Sequence, residues 1–138
     1  MSYPRFHLAF HVTDLQRARD FYVDILGCKE GRSTDTWVDL DCFWHQLSLH
    51  LGAPFQTTLT GVVEGVKVPM PHFGLCLAMP VWQTLAQRLT AAQVPFVLPP
   101  HIRYAGQAGE QGTLFILDPF GNPIEIKGFS DFSGVFAV

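Results

Sequence analysis

The chain reads as an α+β domain in which two β-α-β-β-β modules pair into a cupped mixed sheet. Three observations predict this. The same order of strand and helix patterns occurs twice along 138 residues. That length suits one domain, or two small halves around one core. An apolar fraction of 48% with only 15% charged residues belongs to a folded chain, not a disordered one.

Module one covers about residues 5–52. It opens with the strand "RFHLAFHV", followed by "TDLQRARDFYVDIL", where Leu15, Ala18, Phe21, Tyr22 and Ile25 follow helical spacing. Thr13 or Asp14 can cap that helix and Gly27 closes it. After the loop "CKEGRSTD" come two short alternating strands, "TWVDLDCF" and "HQLSLHLG". Residues 53–70 read as a glycine- and proline-rich connector with at most one short extended piece. Its length exceeds that of ordinary loops, which suggests a covering role. Module two covers about 71–129: the strand "HFGLCLAM", the helix "PVWQTLAQRLTAAQV" with Pro80 near its start, and the strand "PFVLPPHIRY" interrupted by Pro99 and Pro100. The polar loop "AGQAGEQG" then leads to "TLFILD", the turn "PFGN" and a closing strand "PIEIKGF". A single such unit leaves one sheet face bare, so two should share a cavity. The tail, 130–138, carries apolar residues suited to a dimer contact.

Several classes are excluded. The net charge is −3 and no basic cluster appears, so no nucleic-acid partner is expected. No apolar run approaches the ~18 residues of a membrane span, and "MSYPRFHLAF" lacks a signal-like apolar stretch. Cys28, Cys42 and Cys76 are scattered and form no CxxC pair. They argue against a disulfide framework and suit a reducing, cytoplasmic setting.

Strand alternation singles out the chemistry. In "PIEIK", Ile124 and Ile126 take one face and Glu125 and Lys127 the other. In "HFGLCLAM", His72, Gly74 and Cys76 lie opposite Phe73, Leu75 and Leu77; small Gly74 and Cys76 leave room for a ligand. In the first strand His7, Ala9 and His11 lie opposite Phe6, Leu8 and Phe10. His7 and His72 hold equivalent positions in the two modules. With Glu125 they make a mixed nitrogen and oxygen set that suits a first-row divalent ion and leaves positions open for substrate. Aligning "QLSLH" with "PIEIK" puts Ser48 where the second module has Glu125.

These features, "FHLAFHVTDLQRARDFYVDILGC", "PHFGLCL" and above all "LFILDPFGNPIEIKGF", resemble the vicinal-oxygen-chelate superfamily of glyoxalases, bleomycin- and fosfomycin-resistance proteins and extradiol dioxygenases. The resemblance spans Phe6 to Phe129. It implies paired modules holding a divalent metal on His7, His72 and Glu125. Glyoxalase I enzymes usually add a glutamate at the position held here by Ser48. Three ligands with open sites look more like the extradiol dioxygenases, which implies Fe(II) or Mn(II), with Zn or Ni as alternatives. A small-molecule substrate and a homodimer are expected.

Other side chains are candidates by parity. His50 shares the face of Ser48 and is placed as a catalytic acid or base, as its imidazole titrates near neutrality. Tyr104 is the second catalytic candidate, bonding a substrate oxygen. Arg103, His11 and Ser48 are candidate substrate contacts, Arg103 for an anionic group. His45 and the Phe21, Tyr22 and Ile25 stripe read as structural. Cys76 lacks the cationic or helix-start setting of a catalytic thiolate.

Overall fold

The computed structural model describes residues 2–138. It divides into two compact units. One runs to Gln56 and takes in Pro119–Gly121; the other covers Thr57–Asp118 and Asn122–Val138. Each holds a four-stranded mixed sheet, and both sheets have the same strand order.

In the first unit β1 (His7–Val12) runs parallel to β4 (His45–Leu51), with β3 (Trp37–Cys42) and then β2 (Lys29–Ser33) antiparallel beyond it. Phe10 and Val12 of β1 are buried and His7, Ala9 and His11 exposed, as the alternation predicts. Asp14 caps α1 (Leu15–Arg19), its carboxylate accepting from the Arg17 N–H at 3.0 Å. The helix widens into a π-helical turn over Asp20–Ile25. There Phe21 and Tyr22 are both buried and meet edge to face at 5.0 Å. Gly27, at φ 89°, ends it.

Two expectations for this unit need correcting. The stretch "CKEGRSTD" is not all loop, because it contains β2. Every residue of β2 is exposed, so no apolar alternation marks this charged edge strand. Cys28 and Cys42 form a disulfide, their Cα atoms 4.4 Å apart, where unpaired thiols were expected. The cause is register. Lys29 pairs with Asp41, so the flanking cysteines face each other across β2 and β3. A separation of 14 residues does not reveal that. The inference of a reducing compartment loses its basis, since disulfides persist in oxidising surroundings. The Cys28→Ala/Cys42→Ala double variant is expected to be about 3 kcal/mol less stable, because a loop of this size gains freedom in the unfolded chain. Urea unfolding checks it, and an unchanged midpoint would contradict it.

In the second unit β7 (Phe73–Ala78) runs parallel to β10 (Pro123–Phe129), with β9 (Gln111–Leu117) and β8 (Phe96–Arg103) antiparallel beyond. Between β7 and β8, α2 (Met79–Ala91) carries Pro80 in its first turn and buries Trp82, Leu85, Ala86 and Leu89. β8 continues through Pro99 and Pro100 as an edge strand with shifted register, so the two prolines bend the strand without ending it. The expected connector is also corrected. Its residues form an antiparallel hairpin, β5 (Thr58–Val63) and β6 (Val66–Met70), turning at Glu64 and Gly65, both at positive φ. Val68 of this hairpin is buried against Leu98 and Phe115. Glycine and proline content concealed the strands.

The most distinctive stretch of the sequence is a structural clasp. Between β9 and β10 the Asp118 carboxylate accepts from both the backbone N–H and the side-chain amide of Asn122, each at 2.8 Å. Gly121 supplies the positive φ that this turn needs. The tail forms a 3₁₀ turn over Phe132–Phe136 with both of those rings largely exposed. Among the described residues no helix is long and apolar enough to cross a membrane.

Candidate metal centre

The strand registers of the two units agree position by position. Ala9 pairs with Ser48 on the first sheet and Gly74 with Glu125 on the second. Ser48 therefore occupies the place of Glu125, as the alignment of the modules predicts. Gly74 has a sharper role than leaving room for a ligand: a Cβ there would fall on the Glu125 carbonyl oxygen.

On the second sheet His72 and Glu125 come together. His72 Nε2 lies 3.6 Å from Glu125 Oε1. His72 Nδ1 is 2.8 Å from the Pro69 carbonyl oxygen. A carbonyl only accepts, so Nδ1 carries a hydrogen, and in the neutral imidazole Nε2 is the nitrogen that offers its lone pair toward the carboxylate. In that neutral form two acceptors face each other, an arrangement that a divalent ion held between them would stabilise. Bonds of about 2.0–2.2 Å to one ion place two ligand atoms roughly 3–3.5 Å apart. The observed spacing lies just beyond that range, and the donor set fits a divalent ion. Neighbours fix the pair. Thr113 Oγ1 donates to Glu125 Oε2 at 3.0 Å, Lys127 Nζ stands 3.8 Å from Oε1, and the Phe115 ring meets that of His72 edge to face at 4.8 Å. Glu125 itself is buried.

His7 belongs to the first unit, exposed on β1. Its Nδ1 is held by Gln46 Oε1 at 2.8 Å, which in the neutral imidazole makes Nε2 the nitrogen able to ligate. This tether to a carbonyl oxygen is the arrangement that orients metal-binding histidines. Among the described residues, no three His, Cys, Asp or Glu side chains form one group able to hold an ion.

The remaining candidates are placed as follows. Ser48 is buried and donates its one proton to Asp39 Oδ1 at 2.5 Å. His50 is half-buried and lies against Trp37, ring centroids 6.2 Å apart. His11 pairs with His50 in register, and its ring covers Gly52, where a Cβ would approach to 2.7 Å. Arg103 and Tyr104 engage each other and the hairpin. Arg103 Nε donates to Glu64 Oε1 at 2.7 Å and its Nη2 to the Tyr104 hydroxyl at 2.9 Å. Arg103 is therefore already paired with a carboxylate. His45 accepts from the Phe6 N–H at 3.1 Å, consistent with a structural role. Burial raises the Cys76 thiol above its ordinary pKa, partly offset by Lys127, so it stays protonated near neutrality.

Sequence reasoning passed over two groups. A cavity of about 470 Å³ in the first unit is lined by Trp37, Asp39, Asp41, Trp44 and Gln46, among others. The alternation in "TWVDLDCF" already places Trp37, Asp39 and Asp41 opposite Val38 and Leu40. In the second unit His101 and Gln111 lie on the face of Glu125, a relation hidden by the register shift after Leu98.

The model of the Glyoxalase/Bleomycin resistance protein/Dioxygenase superfamily matches residues 6–126. The chain belongs to this superfamily. Among solved structures, a glyoxalase/bleomycin resistance protein/dioxygenase from Alicyclobacillus acidocaldarius is 31% identical, with a TM-score of 0.77 and 96% of each chain covered. Fosfomycin resistance protein FosX from Listeria monocytogenes is 16% identical, with a TM-score of 0.69 over 97% of this chain and 98% of that one. TioX from a Micromonospora species is 18% identical, with a TM-score of 0.64 over 91% and 98%. The last two show the fold alone. No match was found among curated proteins. The superfamily places this chain among proteins that act on small molecules, commonly with a divalent metal.

Proposed function

We propose that the chain is a metal-dependent enzyme of the superfamily, acting on a small molecule that presents two vicinal oxygens. The protein ligands are His7, His72 and Glu125. The observation that carries this is His72 Nε2 facing the Glu125 carboxylate at 3.6 Å while its Nδ1 is turned to the Pro69 carbonyl. When bound, a divalent ion supplies Lewis acidity and a template for substrate oxygens. The chain's own residues do the rest. Pro69 and Gln46 hold the two imidazoles in the ligating tautomer, and Thr113 aims the carboxylate. Ser48 commits its proton to Asp39, which keeps the set at three ligands and leaves open positions.

Within this class the reading is a ring-cleaving dioxygenase using Fe(II) or Mn(II), with His50 moving the substrate proton, steadied by Trp37. Tyr104 is the second proton-handling candidate, and His11 and Ser48 line the first sheet. Oxygen uptake on adding catechol tests the reaction. The expected result is stoichiometric O₂ consumption with Fe(II) or Mn(II) and none with Zn(II). Turnover of an oxygen-independent substrate with Ni(II) or Zn(II) moves the assignment to a glyoxalase-like lyase or a thiol transferase. Tight ligand binding without metal or turnover moves it to a drug-binding protein.

A further inference from the structure

The cavity of the first unit takes no part in the chemistry described so far. Its volume of about 470 Å³ falls within the roughly 300–1,000 Å³ of small-molecule sites. Two indoles, Trp37 and Trp44, line it together with two carboxylates, Asp39 and Asp41, and two guanidiniums, Arg5 and Arg32.

Trp44 stands there against its backbone preference. Cys42 pairs with His45, so Phe43 and Trp44 alone join β3 to β4. Both are at positive φ, 53° and 77°, the geometry of a tight hairpin turn that favours asparagine and glycine. A bulky residue in that region strains the backbone, and such strain collects at functional positions. The fold draws little from the ring in return, because Trp44 is 71% exposed. Its neighbours in the cavity wall hold it. The Asp41 carboxylate accepts from the Trp44 N–H at 2.9 Å, and the Arg5 guanidinium lies 5.2 Å from the ring centroid. Glycine would make this turn with less strain, so the indole serves something other than the fold.

The charges select the ligand. Asp39 accepts from the Ser48 hydroxyl and Asp41 from the Trp44 N–H. Among the described residues no ion pair joins either carboxylate to Arg5 or Arg32. The wall therefore offers acceptors and donors separately, and their formal charges cancel. An anion that gains from the guanidiniums meets the carboxylates as well, and a cation meets the reverse. A hydroxyl donates and accepts at once, so a neutral ring bearing several of them can use all four groups. The C–H face of such a ring suits the negative face of an indole.

We propose that this cavity binds a neutral polyhydroxylated ring, a sugar or glycosyl group, packed against Trp37 and Trp44. The lining residues all belong to the first unit, so the site does not rest on the metal reading. Gln46 lines the cavity and also tethers His7, which sets the bound ring beside that candidate ligand.

Nuclear magnetic resonance of the full chain tests this, because its three tryptophans give three indole N–H signals. The probes are the methyl glycosides of glucose, galactose and mannose. The uronate and the amino sugar of the same configuration serve as charged counterparts, in mildly acidic buffer that keeps the amine protonated. At least one neutral glycoside is expected to bind with a Kd of roughly 1 mM, as suits a ligand of that size. It should move the Trp37 and Trp44 signals and leave that of Trp82, buried on α2, in place. Each charged counterpart should bind at least about fivefold more weakly. Trp44→Gly should weaken binding at least about tenfold and raise the Tm by a few degrees, since the turn loses its strain. No indole shift with any neutral glycoside overturns the proposal, as does a shift confined to Trp82. So does a charged counterpart that binds as tightly as the neutral sugar, or unaltered binding by Trp44→Gly. A lowered Tm for Trp44→Gly also overturns it, because the indole would then be serving the fold.

Discussion

Glu125→Ala protein, purified without added metal and dialysed, is expected to hold less than about a tenth of the divalent metal bound by the unaltered chain. His72→Ala and His7→Ala should do the same. The expectation follows from the donor chemistry, because a three-ligand site that loses one ligand keeps too few bonds to retain a first-row ion against dialysis. Thr113→Val leaves all three ligands in place but frees the carboxylate. Its affinity should fall by roughly 10–100-fold, the usual penalty for removing a partner that orients a ligand. Elemental analysis checks the ligands and competition with a chelator checks Thr113. Full metal content in all three alanine variants would remove the site from these residues. Mixing His7→Ala with Glu125→Ala chains adds an answer about assembly. In a homodimer whose sites combine His7 of one chain with His72 and Glu125 of the other, refolding the mixture restores about a quarter of the metal, because half the dimers regain one of two sites. Sites completed within one chain restore none.

Trp82→Ala is expected to be the most damaging single change in the second unit. Trp82 is buried on α2, its indole N–H donating to the Ile126 carbonyl at 3.0 Å. Its ring lies on Gly112 and Gly128, where a Cβ would come within 2.8 and 2.6 Å of it. Two glycines in adjacent strands thus form the bed for one large ring, and truncation leaves a cavity no neighbour can fill. The loss should be about 3–5 kcal/mol, with Trp82→Phe costing less because the apolar volume mostly remains. Urea unfolding at unchanged slope measures both. A loss under about 1 kcal/mol for Trp82→Ala would mean that the bed collapses onto the gap.

Much of this was legible in the residues because strand chemistry is periodic. The alternation in "FHLAFHV" separated core from open face, and the structure keeps that division in β1, whereas β10 is buried on both faces except for the half-buried Lys127. The repeat predicted which positions correspond, and the registers of Ala9 with Ser48 and Gly74 with Glu125 agree with it. Asp14 as a cap and Gly27 as a helix end followed from local backbone chemistry.

What escaped the sequence depended on partners far along the chain. β2 has no buried face, so it carries no pattern; only pairing with β3 makes it a strand. The β5–β6 hairpin gains its identity from Val68 meeting Leu98 and Phe115. Arg103, a candidate contact for an anionic group, pairs with Glu64 at the hairpin turn, a partner 39 residues away.

The sequence by itself determined the class of fold, the repeat, and the chemistry available on each open face, because side-chain alternation and backbone propensity are local. Only the tertiary structure decided which of those groups meet. It joined Cys28 to Cys42, turned Nε2 of His72 toward Glu125, and left His101 Nε2 and Gln111 Oε1 buried without a hydrogen-bond partner. Those outcomes depend on strand register and on which nitrogen a distant carbonyl engages, and neither is encoded at any single position along the chain.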